Sequence, residues 1–238
     1  MIIEICANSL TSALNAQAGG AGRVELCSEL SLGGITPSAG MIELVRKKLK
    51  IDVFVLIRPR GGDFCYTSDE IEIIQKDIEF CKKVGCDGVV LGVLNPDGTI
   101  DIEIMKKLVE LARPMQVTFH RAFDICKNPL NALDQIIDLG IERILTSGQQ
   151  NLAIDGLSFL EKLIQQSQNR LIIMAGSGVN ATNFSDFQKI GIQEIHFSAK
   201  RQVNSFMFFE HSMVQLETNP YINWVSDIQK IKKTVDRT

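Results

Sequence analysis

Gly20-Ala-Gly-Arg23-Val-Glu-Leu-Cys27 is the first of four copies of one phrase, and that phrase decides the fold. The others are Gly85-Cys-Asp-Gly88-Val-Val-Leu-Gly92, Gly140-Ile-Glu-Arg143-Ile-Leu-Thr-Ser147 and Gly191-Ile-Gln-Glu194-Ile-His-Phe-Ser198. Each opens on a glycine suited to close a helix, where a left-handed backbone costs least without a Cβ. Two linking residues follow, then an apolar strand. The copies stand about 50 to 65 residues apart, room for two strand–helix units each.

Working outward, four more short apolar runs fall between the copies, at 2–6, 53–58, 116–120 and 171–175. Amphipathic stretches at helical spacing separate the runs, such as Ile71, Ile74, Ile78 and Cys81, or Leu130, Leu133, Ile136 and Ile137. Strands alternating with helices imply a parallel sheet. Eight units with a quarter-repeat predict a closed (β/α)8 TIM barrel rather than an open doubly wound sheet. The 238 residues suit one such domain over 1–238, and no Pro/Ser-rich linker divides them. Residues 202–221 read as an irregular insertion between the last strand and the final helix.

Composition narrows the function classes. The net charge is −3 with no stripe of Lys and Arg, which argues against nucleic acid. The basic stretch 46–50 reads as an exposed helix face. MIIEICANSL offers neither a signal peptide nor a membrane span. Six cysteines, at 6, 27, 65, 81, 86 and 126, form no CxxC and suggest free thiols in a reducing cytoplasm.

Strand side chains alternate between faces. The fifth and seventh residues after each repeat glycine share a face: Glu25 and Cys27, Val90 and Gly92, Leu145 and Ser147, His196 and Ser198. Their bulky neighbours, among them Val24, Leu26, Ile144 and Ile195, should pack on the helices. The polar set should then face the barrel interior, joined by Glu4, Cys6, Arg58, Thr118 and His120. Buried charges must pair with each other or with a ligand. Glu4 and Glu25 balanced by Arg58 would make a structural ion network. The same residues would equally make a ligand site, since barrel mouths are where such chemistry gathers.

Three further stretches are long and specific: Ile57-Arg-Pro-Arg-Gly-Gly-Asp-Phe-Cys-Tyr66, Thr118-Phe-His-Arg-Ala-Phe-Asp124 and Leu145-Thr-Ser-Gly148. Together with Val24-Glu-Leu-Cys27 and Gly33-Gly-Ile-Thr-Pro-Ser38 they resemble the CutC family, from Ile3 to about Ser205. The resemblance implies a cytoplasmic, oligomeric barrel associated with copper homeostasis, and leaves the reaction open. Members usually carry basic residues after a Ser-x-Met phrase. Here Ser205-Phe-Met207 is followed by Phe208, Phe209 and Glu210.

Several chemistries follow as candidates. Cu(I) prefers soft thiolates, and Cys6 and Cys27 lie at equivalent heights on adjacent strands, a two-thiolate site that Cys65 and Cys126 could join. Either thiol could instead be a small buried hydrophobe. Glu25, His120 and His196 could exchange protons while Arg58 or Arg60 holds a small anionic or phosphorylated metabolite. No Lys lies on the inner face of a strand, which disfavours a Schiff-base aldolase, although Lys200 follows the last strand with inward parity. Gly176, Ser177 and Gly178 follow the seventh strand and precede a helix expected near Asn180. They suit either phosphate binding or a tight turn with an Asn cap. The loop from Arg58 to Asp63 has the Arg and Gly content of an anion-holding loop. Phe206, Met207, Phe208, Phe209, Met213 and Trp224 crowd the late insertion and the start of the last helix, and predict a homodimer. A barrel that has lost catalysis and serves as a scaffold would bind neither metal nor metabolite.

Overall fold

The computed structural model describes residues 1–209 and 218–237. Eight parallel strands close into a barrel in chain order. They are β1 (Ile2–Ala7), β2 (Arg23–Leu26), β3 (Asp52–Leu56), β4 (Gly88–Leu91), β5 (Gln116–Phe119), β6 (Arg143–Thr146), β7 (Ile172–Gly176) and β8 (Glu194–Phe197). Seven helices connect them: α1 (Leu10–Ala18), α2 (Ala39–Lys48), α3 (Ser68–Val84), α4 (Ile102–Ala112), α5 (Pro129–Asp138), α6 (Leu157–Ser167) and α7 (Phe184–Lys189). This is the TIM barrel that the repeat predicts.

Local chemistry accounts for the punctuation. The repeat glycines Gly20, Gly85, Gly140 and Gly191 take φ of 89°, 77°, 71° and 87°, the left-handed region in which a Cβ would clash. Ser9, Ser38, Thr67 and Asp101 cap α1 to α4, each accepting a backbone N–H from the first turn. The alternation also holds. Val24, Leu26, Ile144 and Ile195 belong to the main apolar core, which includes residues of the surrounding helices. Inside the barrel a much smaller cluster gathers Cys6, Cys27, Phe54, Leu56 and Val90. Polar groups take up much of the remaining interior, which is where the candidate site arises.

Among the described residues beyond β8, regular elements replace part of the expected irregular insertion. β9 (Lys200–Asn204) pairs antiparallel with β10 (Ile222–Ser226), and α8 (Ile228–Val235) follows. Asn15 donates to the Ser226 carbonyl at 2.8 Å, and Ser226 N–H donates to the Ser12 hydroxyl at 3.0 Å, fastening β10 to α1. Trp224 therefore stands within β10 and not at the start of the last helix. Phe206, Met207, Phe208 and Phe209 are exposed, and Met213 lies outside the described residues. No described helix is long and apolar enough to cross a membrane.

Candidate functional site at the carboxyl end of the barrel

The interior begins with an ion network that the parity of the strands makes unavoidable. Arg23 donates from Nε to Glu4 at 2.5 Å and from Nη2 to Glu194. Arg143 donates to Glu194 at 3.2 Å and to Gln116 at 2.8 Å. Both guanidiniums also lie over the Phe54 ring, at 4.8 Å and 4.9 Å. Two buried cations thus meet two buried carboxylates, the condition under which buried charge is tolerated. Gly88 makes room for Phe54, since a Cβ there would stand 2.4 Å from its ring.

This network corrects the expected one. Glu4 is balanced by Arg23, not by Arg58. The Arg58 guanidinium instead donates to the carbonyls of Leu32, Gly34 and Gly62, at 2.8, 2.9 and 2.6 Å. The physical reason is position: β3 ends at Leu56, so Arg58 is already in the following loop and bonds to loop backbone.

Above the network a cavity of about 450 Å³ opens at the strand ends. Cys6, Glu25, Arg58, His120, His196 and Lys200 are among its lining residues. His196 couples the two levels: Nδ1 stands 2.7 Å from Glu4 Oε1, and Nε2 stands 3.8 Å from Glu25 Oε2. Cys6 Sγ lies 3.3 Å from Glu25 Oε2 and 3.4 Å from Cys27 Sγ. One ligand atom from each of Cys6, Glu25 and His196 falls within 4.8 Å of the others. The two sulfurs meet as expected, but not at equal heights. Barrel stagger registers Cys6 against Glu25, and Cys27 lies beyond the end of β2, so the sulfur contact is diagonal.

His120 is seated by a missing side chain, because a Cβ on Gly92 would stand 2.7 Å from the His120 ring. Its Nδ1 accepts the Ala122 N–H at 3.3 Å. Phe64 touches both His120, with ring centroids 4.6 Å apart, and Arg58, whose guanidinium lies 4.8 Å from the ring centroid.

Other expected residues are placed elsewhere. Arg60 is half-exposed and committed to Glu70 at 2.5 Å and Asp63 at 3.0 Å, and does not line the cavity. Cys65 and Cys126 do not line it either. Ser177 and Gly178 do, but Gly176 does not. The helix expected near Asn180 begins at Phe184 and has six residues. Asn180 and Asn183 instead bond back to the Gly178 carbonyl, at 3.0 and 2.9 Å, building the tight turn. Lys200 starts β9, lines the cavity and sits 5.1 Å from the Trp224 ring centroid.

The titrations follow from these contacts. Burial alone would raise Glu4, but Arg23 and then His196 hold its carboxyl down at about 2. Burial raises Glu25, only partly opposed by His196. The Cys27 contact, then burial, pushes the Cys6 thiol well above its ordinary value. Burial would lower His196, but Glu25 and Glu4 outweigh it and raise it. Burial, reinforced by Arg58, drops His120 to about 3.

These shifts predict acid sensitivity with a defined window. His120 is neutral when folded, so below its ordinary value of 6.5 the unfolded chain takes the proton first, and stability falls as pH falls toward 3. Glu4 acts in the same direction between its ordinary 4.5 and about 2. His196 runs oppositely: its raised value gives stability that is full below 6.5 and fades as pH rises through the folded value. Glu25, raised above its ordinary 4.5, also runs oppositely and gains stability as pH falls toward 4.5. The His120 contribution is therefore read by difference: from pH 6.5 to 4.5 the urea midpoint of the wild type is expected to fall relative to that of His120→Asn. A difference constant across that segment would mean that His120 is not held neutral.

Arg23, Arg143 and Glu194 escaped the sequence reading, as did Phe64 and Arg121 at the cavity. A signal existed for the first three, which are the third residues after a repeat glycine and share parity with the fifth and seventh.

Known proteins resemble this chain over nearly its whole length. The family model described as CutC matches residues 1–201. A mouse protein named copper homeostasis protein cutC homolog is 44% identical over 236 residues, covering 97% of this chain and 87% of its own. A CutC family protein of Parabacteroides distasonis is 48% identical over 217 residues, covering 90% of this chain and 89% of its own. Among solved structures, a CutC protein from Streptococcus agalactiae superposes with a TM-score of 0.80 at 34% identity, covering 83% of this chain and 98% of that one.

Proposed function

The chain belongs to the CutC family, and from that premise we propose that it binds Cu(I) as cargo at the inner wall of the cavity, held by the thiolates of Cys6, which lines it, and of Cys27, buried behind Cys6. The observation that carries this is the sulfur pair, 3.4 Å apart and bordered by the Glu25 carboxylate and the His196 imidazole. Thiolates and an imidazole are donors suited to Cu(I), whereas hard cations prefer oxygen ligands. The mouse relative's name associates it with copper homeostasis. All six cysteines are free, as a reducing cytoplasm would keep them.

The surroundings also supply a proton path. Cys6 is a thiol until metal arrives, and its Sγ lies 3.3 Å from a carboxylate whose own affinity for protons burial has raised. Glu25 can relay the thiol proton out to the cavity that it lines as copper replaces it, and His196 stands 3.8 Å away on the same lining.

Metal binding that displaces protons strengthens as pH rises. Apparent Cu(I) affinity is expected to increase about tenfold per pH unit for each proton released, across pH 6 to 8. Anaerobic competition titrations at several pH values measure it. An affinity flat over that range would contradict coordination by a Cys6 thiol that begins protonated. X-ray absorption at the copper edge should find sulfur ligands, and a shell of nitrogen and oxygen alone would exclude the pair.

A further inference from the structure

The wall of the cavity lined by Arg58 and His120 is built around a guanidinium that forms no ion pair with a carboxylate among the described residues. Arg58 is 5% exposed. Its Nη atoms are satisfied by three backbone carbonyls, but no ion pair joins it to a carboxylate among the described residues. Its Nε is buried and makes no hydrogen bond of normal geometry, and the neighbouring Tyr66 hydroxyl is likewise buried without one. His120 is 4% exposed. Because Nδ1 accepts from Ala122, the ring proton sits on Nε2, which is also buried without a partner. Two orphaned N–H donors on neighbouring side chains, packed against one Phe64 ring, are costly unless an acceptor joins them.

The charges of the cavity point the same way. Arg58, Arg121 and Lys200 line it, against Glu25 as the one lining carboxylate among the described residues. Glu25 is engaged with Cys6 and faces His196. Arg121 is answered by Asp124 at 2.6 Å. Arg58 and Lys200 are therefore the cations left to meet an occupant.

We propose that Arg58, His120 and Lys200 form an oxyanion subsite in this cavity, taking the carboxylate or phosphate group of a small ligand. Guanidinium suits either group, since both offer paired oxygen acceptors. The volume of about 450 Å³ admits a metabolite-sized molecule, not a polymer. Nothing in this assignment depends on the metal, so it stands or falls separately from copper binding.

The test is titration of metal-free protein with inorganic phosphate and, separately, acetate, followed by calorimetry at constant ionic strength set with chloride. Saturable binding of at least one anion is expected, and the tighter of the two identifies the group. Arg58→Gln should weaken it about tenfold or more, the loss of one charge-assisted contact. Because Arg58 also ties three loop carbonyls, Lys200→Met provides a second variant, and should weaken binding several-fold while keeping the wild-type melting temperature. No saturable binding of either anion, or affinity unchanged in the variants that fold, overturns the subsite.

Discussion

Arg23→Met is expected to destabilise the barrel by roughly 3–5 kcal/mol, the usual cost of removing one partner from a buried ion pair. Arg23 is 2% exposed and joins Glu4 to Glu194 through the barrel axis. Its loss leaves two buried carboxylates with one remaining guanidinium, Arg143, which of the two bonds to Glu194 and not to Glu4. Glu4 would keep His196 as its partner and lose the contact that does most to hold it ionised. The substitution also removes one of the two cations flanking Phe54. Urea denaturation followed by circular dichroism measures the change. Lys76→Met provides the comparison, because its pair with Glu79 is solvent-exposed and should be worth under about 1 kcal/mol. A loss of less than about 1 kcal/mol for Arg23→Met would mean that the network is not what organises the interior.

The strands were legible because each rests on local chemistry. A glycine closing a helix and an apolar run after it are readable in one window, and all four repeat glycines take the backbone that the phrase requires. Which residues face inward was legible as well, since parity is a property of the strand alone. What could not be read was partnership. Arg23 meets Glu4 on the adjacent strand and Glu194 two strands away, and those meetings depend on the stagger of the closed sheet. The pattern at 23, 143 and 194 was visible, but the first residue of a strand looks like a loop residue until the barrel closes around it.

Arg58 shows the opposite case. Its inward parity held, and it lines the cavity, yet two residues beyond the strand the loop backbone offers carbonyls, and the guanidinium takes those. Arg60 was read as an anion anchor from composition, and Asp63 and Glu70 consume it. Ser177 and Gly178 reach the cavity as expected, while the helix behind them starts late because two Asn side chains fold back on the Gly178 carbonyl. His196 emerged as the link between Glu4 and Glu25, a role that no spacing in the sequence encodes.

The second large effect is expected at the Cys6–Cys27 pair proposed to hold Cu(I). Both residues lie within the barrel, Cys27 fully buried and Cys6 nearly so, and their sulfurs are already in contact. A hydroxyl in place of each sulfur removes the soft donors and leaves Glu25 and His196, a set better suited to other metals. Even outer-shell partners of a metal site are worth about 10–100-fold in affinity, so losing two direct ligands should cost more than about a hundredfold. The fold should survive, because serine is close to cysteine in size and Ala7, Glu25 and the other residue's hydroxyl offer hydrogen-bond partners. The direct measurement is an anaerobic Cu(I) competition titration of the wild-type protein against the Cys6→Ser, Cys27→Ser double variant. One copper per chain in the wild type, with affinity falling more than about a hundredfold in a folded double variant, is the predicted result. Equal affinity in the two proteins would contradict it.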